Sequence, residues 1–175
     1  MSQPSQSVPS IGFYSVEFTE NLGWIGGYLL LNAGGRPLEF HCTLPIRPSR
    51  THEILYGASL RNHLIGEAIP LALMKQAKNV PLLVCSDQPE SFGLSNRLAF
   101  PVAYVSEGTS SQRLSVVTRV FETPIGSFRA EPRFETKIEA AVEKLGDLPD
   151  LIEPFARIRE AIREAQQQGA SARAA

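Results

Sequence analysis

Residues 24–43 read WIGGYLLLNAGGRPLEFHCT, and this stretch decides the fold prediction. Tyr28–Leu31 is an apolar run, residues 32–35 have the composition of a turn, and Pro37–Thr43 alternates apolar and polar residues. Two extended segments joined by a glycine-containing turn predict a β-hairpin. Because Pro37 has no amide hydrogen to donate, we expect it at the start of its strand or at a sheet edge.

The segments on either side of the hairpin extend it into a sheet. Ile11–Thr19 alternates in the same way, so three consecutive antiparallel strands are expected to open the domain. Val80–Cys85 is a nearly continuous apolar run, which is typical of a strand buried on both faces, and Pro101–Val105 predicts the next strand. A short helix over Ser91–Leu98 would make this a parallel crossover. Arg113–Glu122 alternates again and predicts a further strand or an extended arm.

Apolar residues at helical spacing predict helices in three places. The pattern over Leu60–Leu73 is interrupted by Pro70, which should kink the helix or restart it. Phe134–Leu145 and Leu151–Gln168 carry the other two patterns, and Asp150 is the expected N-cap of the last helix.

These elements predict an α/β or α+β fold. A mixed sheet is opened by a three-stranded antiparallel meander and continues with a crossover helix, further strands and C-terminal helices. We expect a disordered leader over residues 1–10, a single domain over 11–145, a C-terminal amphipathic helix over 146–168 and a frayed tail over 169–175. Two separate domains would be cramped in 175 residues.

The composition indicates a globular protein. Hydrophobic residues make up 43% of the chain and charged residues 20%, and a net charge of -1 gives no overall attraction to nucleic acid or acidic membranes. Cys42 and Cys85 lie in apolar, strand-like surroundings and do not suggest a disulfide framework. The N-terminus does not resemble a secretory signal, and no apolar run of about 18 residues is long enough to span a bilayer. The sequence therefore predicts a cytoplasmic protein without a membrane partner.

Common cofactor and catalytic motifs are missing. The glycine pairs at 26–27 and 34–35 form neither GxGxxG nor a Walker A loop, and no GxSxG motif supports a serine hydrolase. The histidines and cysteines lack the close pairs of a structural zinc site, so no cofactor is expected from these residues. Gly26 and Gly27 instead indicate a bulge or a close approach by another part of the chain.

Three acidic residues stand at or near the ends of predicted elements. Glu20 follows the first strand, Glu67 lies in the helical segment GEAIPLALMKQA, and Asp87 closes VPLLVCSD. With an element order of three strands, a helix, a buried strand, a helix and another strand, the chain resembles the RNase H-like fold over residues 11–105. That resemblance implies that Glu20, Glu67 and Asp87 are catalytic residues that bind Mg²⁺ or Mn²⁺ in phosphodiester cleavage.

Two functions from different classes follow. Because no intact catalytic motif is present, the leading prediction is a non-catalytic protein-interaction or regulatory module without a cofactor. The apolar stripe of its C-terminal helix would pack on its own sheet or, if it projects, bind a protein partner or a second copy. The alternative is a divalent-metal-dependent nuclease whose partner is nucleic acid. Geometry separates the two, because shared cations require the three carboxylates within about 8 Å of each other in a cleft.

Overall fold

The computed structural model of the chain describes residues 8–107, 114–124, 126–147 and 150–174, with side chains to residue 169. The strands in these ranges are β1 Ser10–Thr19, β2 Gly23–Asn32, β3 Pro37–Cys42, β4 Leu83–Ser86, β5 Val102–Tyr104, β6 Arg119–Thr123 and β7 Gly126–Ala130. They form one mixed sheet in the order β3-β2-β1-β4-β5-β7-β6. β4 lies parallel to both β1 and β5, and the remaining pairs are antiparallel. The predicted α/β fold with its opening meander is confirmed.

The α-helices are α1 Arg50–Tyr56, α2 Leu60–His63, α3 Ile69–Met74, α4 Glu135–Leu145 and α5 Glu153–Ala174. Short 3₁₀ segments cover Gly57–Ser59, Pro89–Leu94 and Pro132–Phe134, and a π-helical turn covers Leu64–Ala68. None of the helices in the described ranges combines the length and the apolar composition needed to span a bilayer.

Pro70 restarts the central helix, as its sequence position predicts. Because proline has no amide hydrogen, it fits the first turn of α3 but not the interior of a longer helix. The chain just before it widens into the π-helical turn, where the Ile69 amide donates to the Leu64 carbonyl. Residues 60–74 therefore form two short α-helices joined by the π-helical turn.

The sheet is covered on both faces, and alternate residues of its central strands serve the two layers. Ile11 and Phe13 of β1 pack with α4 and α5, whereas Tyr14 and Val16 pack with α2, the π-helical turn and α3. β4 divides in the same way, with Cys85 in the first layer and Val84 in the second. β1 and β4 are therefore buried on both sides, as the apolar run of β4 predicts.

The two central glycines of β2 allow this close packing. A Cβ atom on Gly26 would overlap Cγ2 of Ile69, and one on Gly27 would lie 2.5 Å from Cγ2 of Ile158. Pairing between β1 and β2 runs through both glycines without a register shift. The glycines therefore mark a close approach of helices from both layers, and the bulge that was the other interpretation is absent from this pair of strands.

Helix α5 packs on its own sheet. Asp150 Oδ1 accepts hydrogen bonds from the amides of Ile152 and Glu153 at 2.7 and 2.9 Å, so it orders the segment that leads into α5. The helix itself begins at Glu153, two residues later than the sequence predicts. The apolar residues of the helix, Phe155, Ile158 and Ile162, are buried in the first layer. Of the two alternatives, the structure shows the one in which the helix packs on its own sheet. It gives no support to a protein partner or self-association through α5.

The hairpin of β6 and β7 differs from the sequence prediction. A further strand or an extended arm was expected over Arg113–Glu122. In the structure, β6 begins at Arg119 and a second strand, β7, follows it after a short turn. The turn between them contains Pro124 and leads into Gly126, whose φ of 146° favours glycine. Residues 108–113 of the predicted loop and strand, and residues 1–7 of the predicted leader, lie outside the described ranges.

Glu39 fastens β3 to the loop that precedes β4. Its carboxylate accepts hydrogen bonds from the Lys78 and Asn79 amides, the Asn79 side chain and the His41 ring. Burial of this carboxylate would raise its pKa, but the hydrogen bonds outweigh burial and lower the pKa to about 2. The edge strand is thereby held against the end of the helical layer.

Replacing Gly26 with alanine should destabilise the fold by about 1–3 kcal/mol, because the new methyl group would overlap Ile69 in a packed layer. Urea denaturation of the purified protein measures this loss. Gly34→Ala is the matched control, since the new methyl group would be in ordinary contact with Asn32 Oδ1 at 3.5 Å. Equal stability of the two variants would contradict the packing role given to Gly26.

Replacing Glu39 with glutamine should lower the free energy of unfolding at pH 7 by about 1–3 kcal/mol, because several donors would lose a charged acceptor. The pKa of Glu39 is lower in the folded chain, so its contribution is complete above the unfolded value of 4.5 and is lost as the pH falls towards about 2. Denaturation midpoints of both proteins measured across that interval should therefore converge. A difference that does not depend on pH would contradict this account. Glu53→Gln is the control, because Glu53 forms an exposed ion pair with Arg50.

Candidate functional site

The three acids predicted from the sequence lie in different surroundings. Glu20 is exposed in the turn after β1. Glu67 lies in the π-helical turn and accepts a hydrogen bond from Arg97 Nη2 at 2.9 Å, with His63 Nδ1 at 3.8 Å. Asp87 directly follows the last residue of β4, at the carboxyl end of this central strand. Of the three acids, Asp87 lines a cleft that neither Glu20 nor Glu67 reaches.

Glu67 and Asp87 belong to opposite layers of the molecule. The π-helical turn packs with Tyr14 and Val84 on one face of the sheet, whereas Asp87 contacts α5 on the other face. Within the described ranges, no group of three His, Cys, Asp or Glu side chains is placed to hold a metal ion. The residues present therefore do not fit the Mg²⁺ or Mn²⁺ that the RNase H-like resemblance implies.

Asp87 is held in place by the residues on either side of it. The side chain of Gln88 donates to the Val16 carbonyl at 2.9 Å and accepts from the Val16 amide at 2.8 Å, so it extends the pairing of β4 with β1. The Ser86 carbonyl accepts from the Val105 amide at 2.8 Å on the β5 side. Asp87 is thus fixed where the parallel strands β4 and β5 end, beside the second half of β1.

An arginine from α5 is the partner of Asp87. Arg159 Nη2 donates to Asp87 Oδ2 at 2.6 Å, and Arg159 Nε lies 3.8 Å from Glu17 Oε1 on β1. The side chains are partly exposed, at 39% for Arg159, 20% for Asp87 and 23% for Glu17. One guanidinium therefore spans two carboxylates at the edge of a cleft.

The cleft has a volume of about 400 Å³ and opens beyond the carboxyl ends of β4 and β5. We call it the Asp87 cleft. Its lining residues are Asp87, Tyr104, Val105, Ser106, Glu107, Ile152, Phe155 and Arg159. Its walls therefore combine acidic, basic and hydroxyl groups with the apolar flank of α5, and a cleft of this size accommodates a small-molecule group.

Burial has the largest effect on the pKa of Asp87, the acid that follows β4 in the cleft. It raises the pKa of Asp87, although the Ser15 hydroxyl and the Arg159 guanidinium favour the charged form and act in the opposite direction. Burial likewise raises the pKa of Tyr104. A carboxyl group with a raised pKa exchanges its proton closer to neutral pH, which suits acid–base chemistry.

The sequence prediction did not include Glu17 or Arg159. Glu17 could have been found from its phase, because Phe13, Ser15 and Glu17 share one face of the alternating first strand. Arg159 directly follows buried Ile158, so a charged residue beside the apolar stripe of α5 was the available signal. The contact itself joins positions 72 residues apart and depends on the tertiary fold.

Comparisons with known proteins give a resemblance at the level of the fold. No family model matches the chain, and no curated protein matches it. Among solved structures, it is similar to Ciona intestinalis endonuclease V (D234N) in complex with a 23mer DNA containing an inosine followed by a ribo-adenosine. The TM-score is 0.49 at 10% identity, over 90% of this chain and 87% of that one. It is also similar to human ENDOV, with a TM-score of 0.43 at 12% identity over 93% and 86% of the two chains.

These comparisons correct the leading sequence-based prediction. That prediction was a non-catalytic protein-interaction or regulatory module, but both structural neighbours are endonucleases.

Exchanging Glu67 for glutamine should change the free energy of unfolding by less than about 1 kcal/mol, because its partners Arg97 and His63 form partly exposed ion pairs with it. Glu20→Gln should have a similarly small effect, since Glu20 is exposed in a turn. Urea denaturation at low and high salt measures both. A large, salt-independent loss in Glu67→Gln would contradict its assignment as a surface ion-pair residue.

Proposed function

We propose that this chain is a nuclease, an enzyme that hydrolyses a phosphodiester bond of nucleic acid, with its reacting centre in the Asp87 cleft. The observation that carries the proposal is the ion pair between Asp87 and Arg159 inside that cleft, with 2.6 Å between Oδ2 and Nη2. The pair offers two groups that phosphodiester hydrolysis uses. One is a cation for the phosphate oxygens, and the other is a carboxyl group that transfers a proton.

Arg159 is suited to hold the phosphate. Its planar guanidinium presents several N–H donors that match two phosphate oxygens at once, and its side chain is 39% exposed at the cleft. The net charge of the whole chain is -1, so attraction of a polyanion depends on such local groups. A phosphate in the cleft would compete with Asp87 for the guanidinium and would release the carboxylate.

Asp87 is suited to move the proton. In the proposed step, the oxygen of a water molecule attacks phosphorus, and the Asp87 carboxylate takes the proton that this oxygen releases. The bond between phosphorus and a sugar oxygen breaks, and the leaving oxygen receives a proton from the Asp87 carboxyl group. The raised pKa of Asp87 supports this role, because the carboxyl group must accept and return a proton near neutral pH.

The position of the cleft supports the same proposal. Ligands of open α/β sheets bind outside the carboxyl ends of the strands, and the Asp87 cleft lies beyond those ends of β4 and β5. The Gln88 side chain, bonded to the Val16 backbone, and the Ser86 carbonyl, bonded to the Val105 amide, fix the acid relative to β1 and β5. A fixed carboxyl group beside a partly exposed guanidinium is a suitable arrangement for positioning a reacting phosphate.

Asp87→Asn should reduce the cleavage rate by about 100-fold or more, because asparagine keeps the shape of the side chain and removes its acid–base function. Fluorescently labelled single- and double-stranded DNA and RNA are incubated with the purified protein in EDTA, in Mg²⁺ and in Mn²⁺. Products are then separated on denaturing gels.

The matched control is Glu160→Gln, an exposed change on the same helix as Arg159. Glu67→Gln locates the site, since it belongs to the other layer and should cleave like the wild type. Absence of cleavage by the wild type in every condition would overturn the proposed function. Equal loss of activity in Glu67→Gln and Asp87→Asn would overturn the assignment of the Asp87 cleft.

A further inference from the structure

We infer that the guanidinium of Arg159 takes the position between Glu17 and Asp87 that a divalent cation would otherwise occupy, so that the cleft binds a phosphodiester group without a metal ion. The inference rests on the proposed function for its ligand, and it deepens that function by identifying the cation that receives the phosphate. Whether Arg159 or a divalent cation lies between Glu17 and Asp87 is measured without nucleic acid.

The geometry of the two carboxylates carries the inference. Tyr14 of β1 pairs with Ser86 of β4, so Asp87 lies level with Ser15, and Glu17 lies further along the same face of β1. Different nitrogens of one guanidinium face the two acids. Nη2 lies 2.6 Å from Asp87 Oδ2, and Nε lies 3.8 Å from Glu17 Oε1. The positive charge is therefore already located between the two carboxylates.

Packing of α5 fixes the base of the Arg159 side chain. The ring of Phe155 lies edge-on to Phe13 with 5.6 Å between centroids, and Ile158 packs over Gly27. Ile158 is fully buried and directly precedes Arg159. The guanidinium therefore leaves the carboxylates only by rotating its own side chain, because the helix below it is locked into the core.

The charge of Arg159 determines which ions can bind between Glu17 and Asp87. With Arg159 in place, an incoming divalent cation meets a positive charge at short range, which opposes its binding. Without the guanidinium, the partly buried carboxylates of Glu17 and Asp87, on the same face of neighbouring strands, would repel each other. A divalent cation that takes oxygen ligands would reduce this repulsion. The same side chain thus excludes a metal ion and offers N–H donors to an anion.

The test is thermal melting of the purified protein during a MnCl₂ titration, without nucleic acid. The wild type should show no saturable shift. Arg159→Gln should gain a saturable rise of about 2–4 °C, and the double variant Arg159→Gln with Asp87→Asn should lose it. Arg163→Gln is the matched control, because Arg163 lies on the same helix and forms a surface ion pair with Glu160.

Arg159→Met, which keeps the apolar stem, provides a second variant should the glutamine substitution prevent folding, and the same gain is expected of it. A saturable shift in the wild type that Asp87→Asn abolishes would overturn the inference, since the metal would then bind beside Arg159. No gain in either folded Arg159 variant would overturn it as well.

Anion binding is measured by fluorescence anisotropy of a labelled single-stranded oligonucleotide in EDTA. The wild type should bind, and Arg159→Gln should bind about tenfold more weakly. Binding that appears only after Mn²⁺ is added would overturn the metal-free part of the inference. Failure of the wild type to bind or cleave nucleic acid under any condition would remove the proposed function, while the melting experiment would still decide which cation lies between Glu17 and Asp87.

Discussion

Burial of β1 and β4 on both faces is the constraint on which the rest of the structure depends. These strands lie at the centre of the sheet, and each sends alternate apolar residues into two different helical layers. Such strands are stable only when both faces are covered. Gly26 and Gly27 meet this requirement in β2 by letting α3 approach from one side and α5 from the other. The chain therefore forms three layers, with the sheet between two sets of helices.

The same alternation decides which side chains meet at the carboxyl ends of the strands. Ser15, Glu17 and Asp87 all face the layer that contains α5, so their common neighbour is an α5 residue. Glu67 belongs to the layer beneath the other face, where it forms an ion pair with Arg97 and lies 3.8 Å from His63 Nδ1. A sheet covered on both faces thus separates acids that are close in sequence order, and it joins Asp87 to a residue 72 positions away.

Local patterns predicted most of the fold. Alternation identified β1 and β3, the apolar run identified β4, Pro70 marked the restart of the central helix, and Asp150 marked the approach to α5. Each of these signals acts over a few residues and survives any tertiary arrangement. Local patterns could not predict that Glu17, Asp87 and Arg159 meet at one cleft. Their meeting depends on which face of the sheet each helix covers, and nothing in the spacing of Glu20, Glu67 and Asp87 specifies a face. The β6–β7 hairpin was missed because its strands are short and its turn resembles a loop.

A guanidinium and a divalent cation would contribute differently to phosphodiester hydrolysis at the carboxyl ends of these strands. An arginine is positively charged across the ordinary pH range and cannot be removed by a chelator. It carries a single charge, however, and it does not lower the pKa of a water molecule as a bound metal ion does. With Arg159 as the cation, activation of water and protonation of the leaving oxygen depend on the protein's own acid. Burial raises the pKa of Asp87 in the direction that this task requires. Packing of α5 against the sheet contributes to both the cation and the burial of the acid. The helix carries Arg159, and its Phe155 lines the cleft beside Asp87.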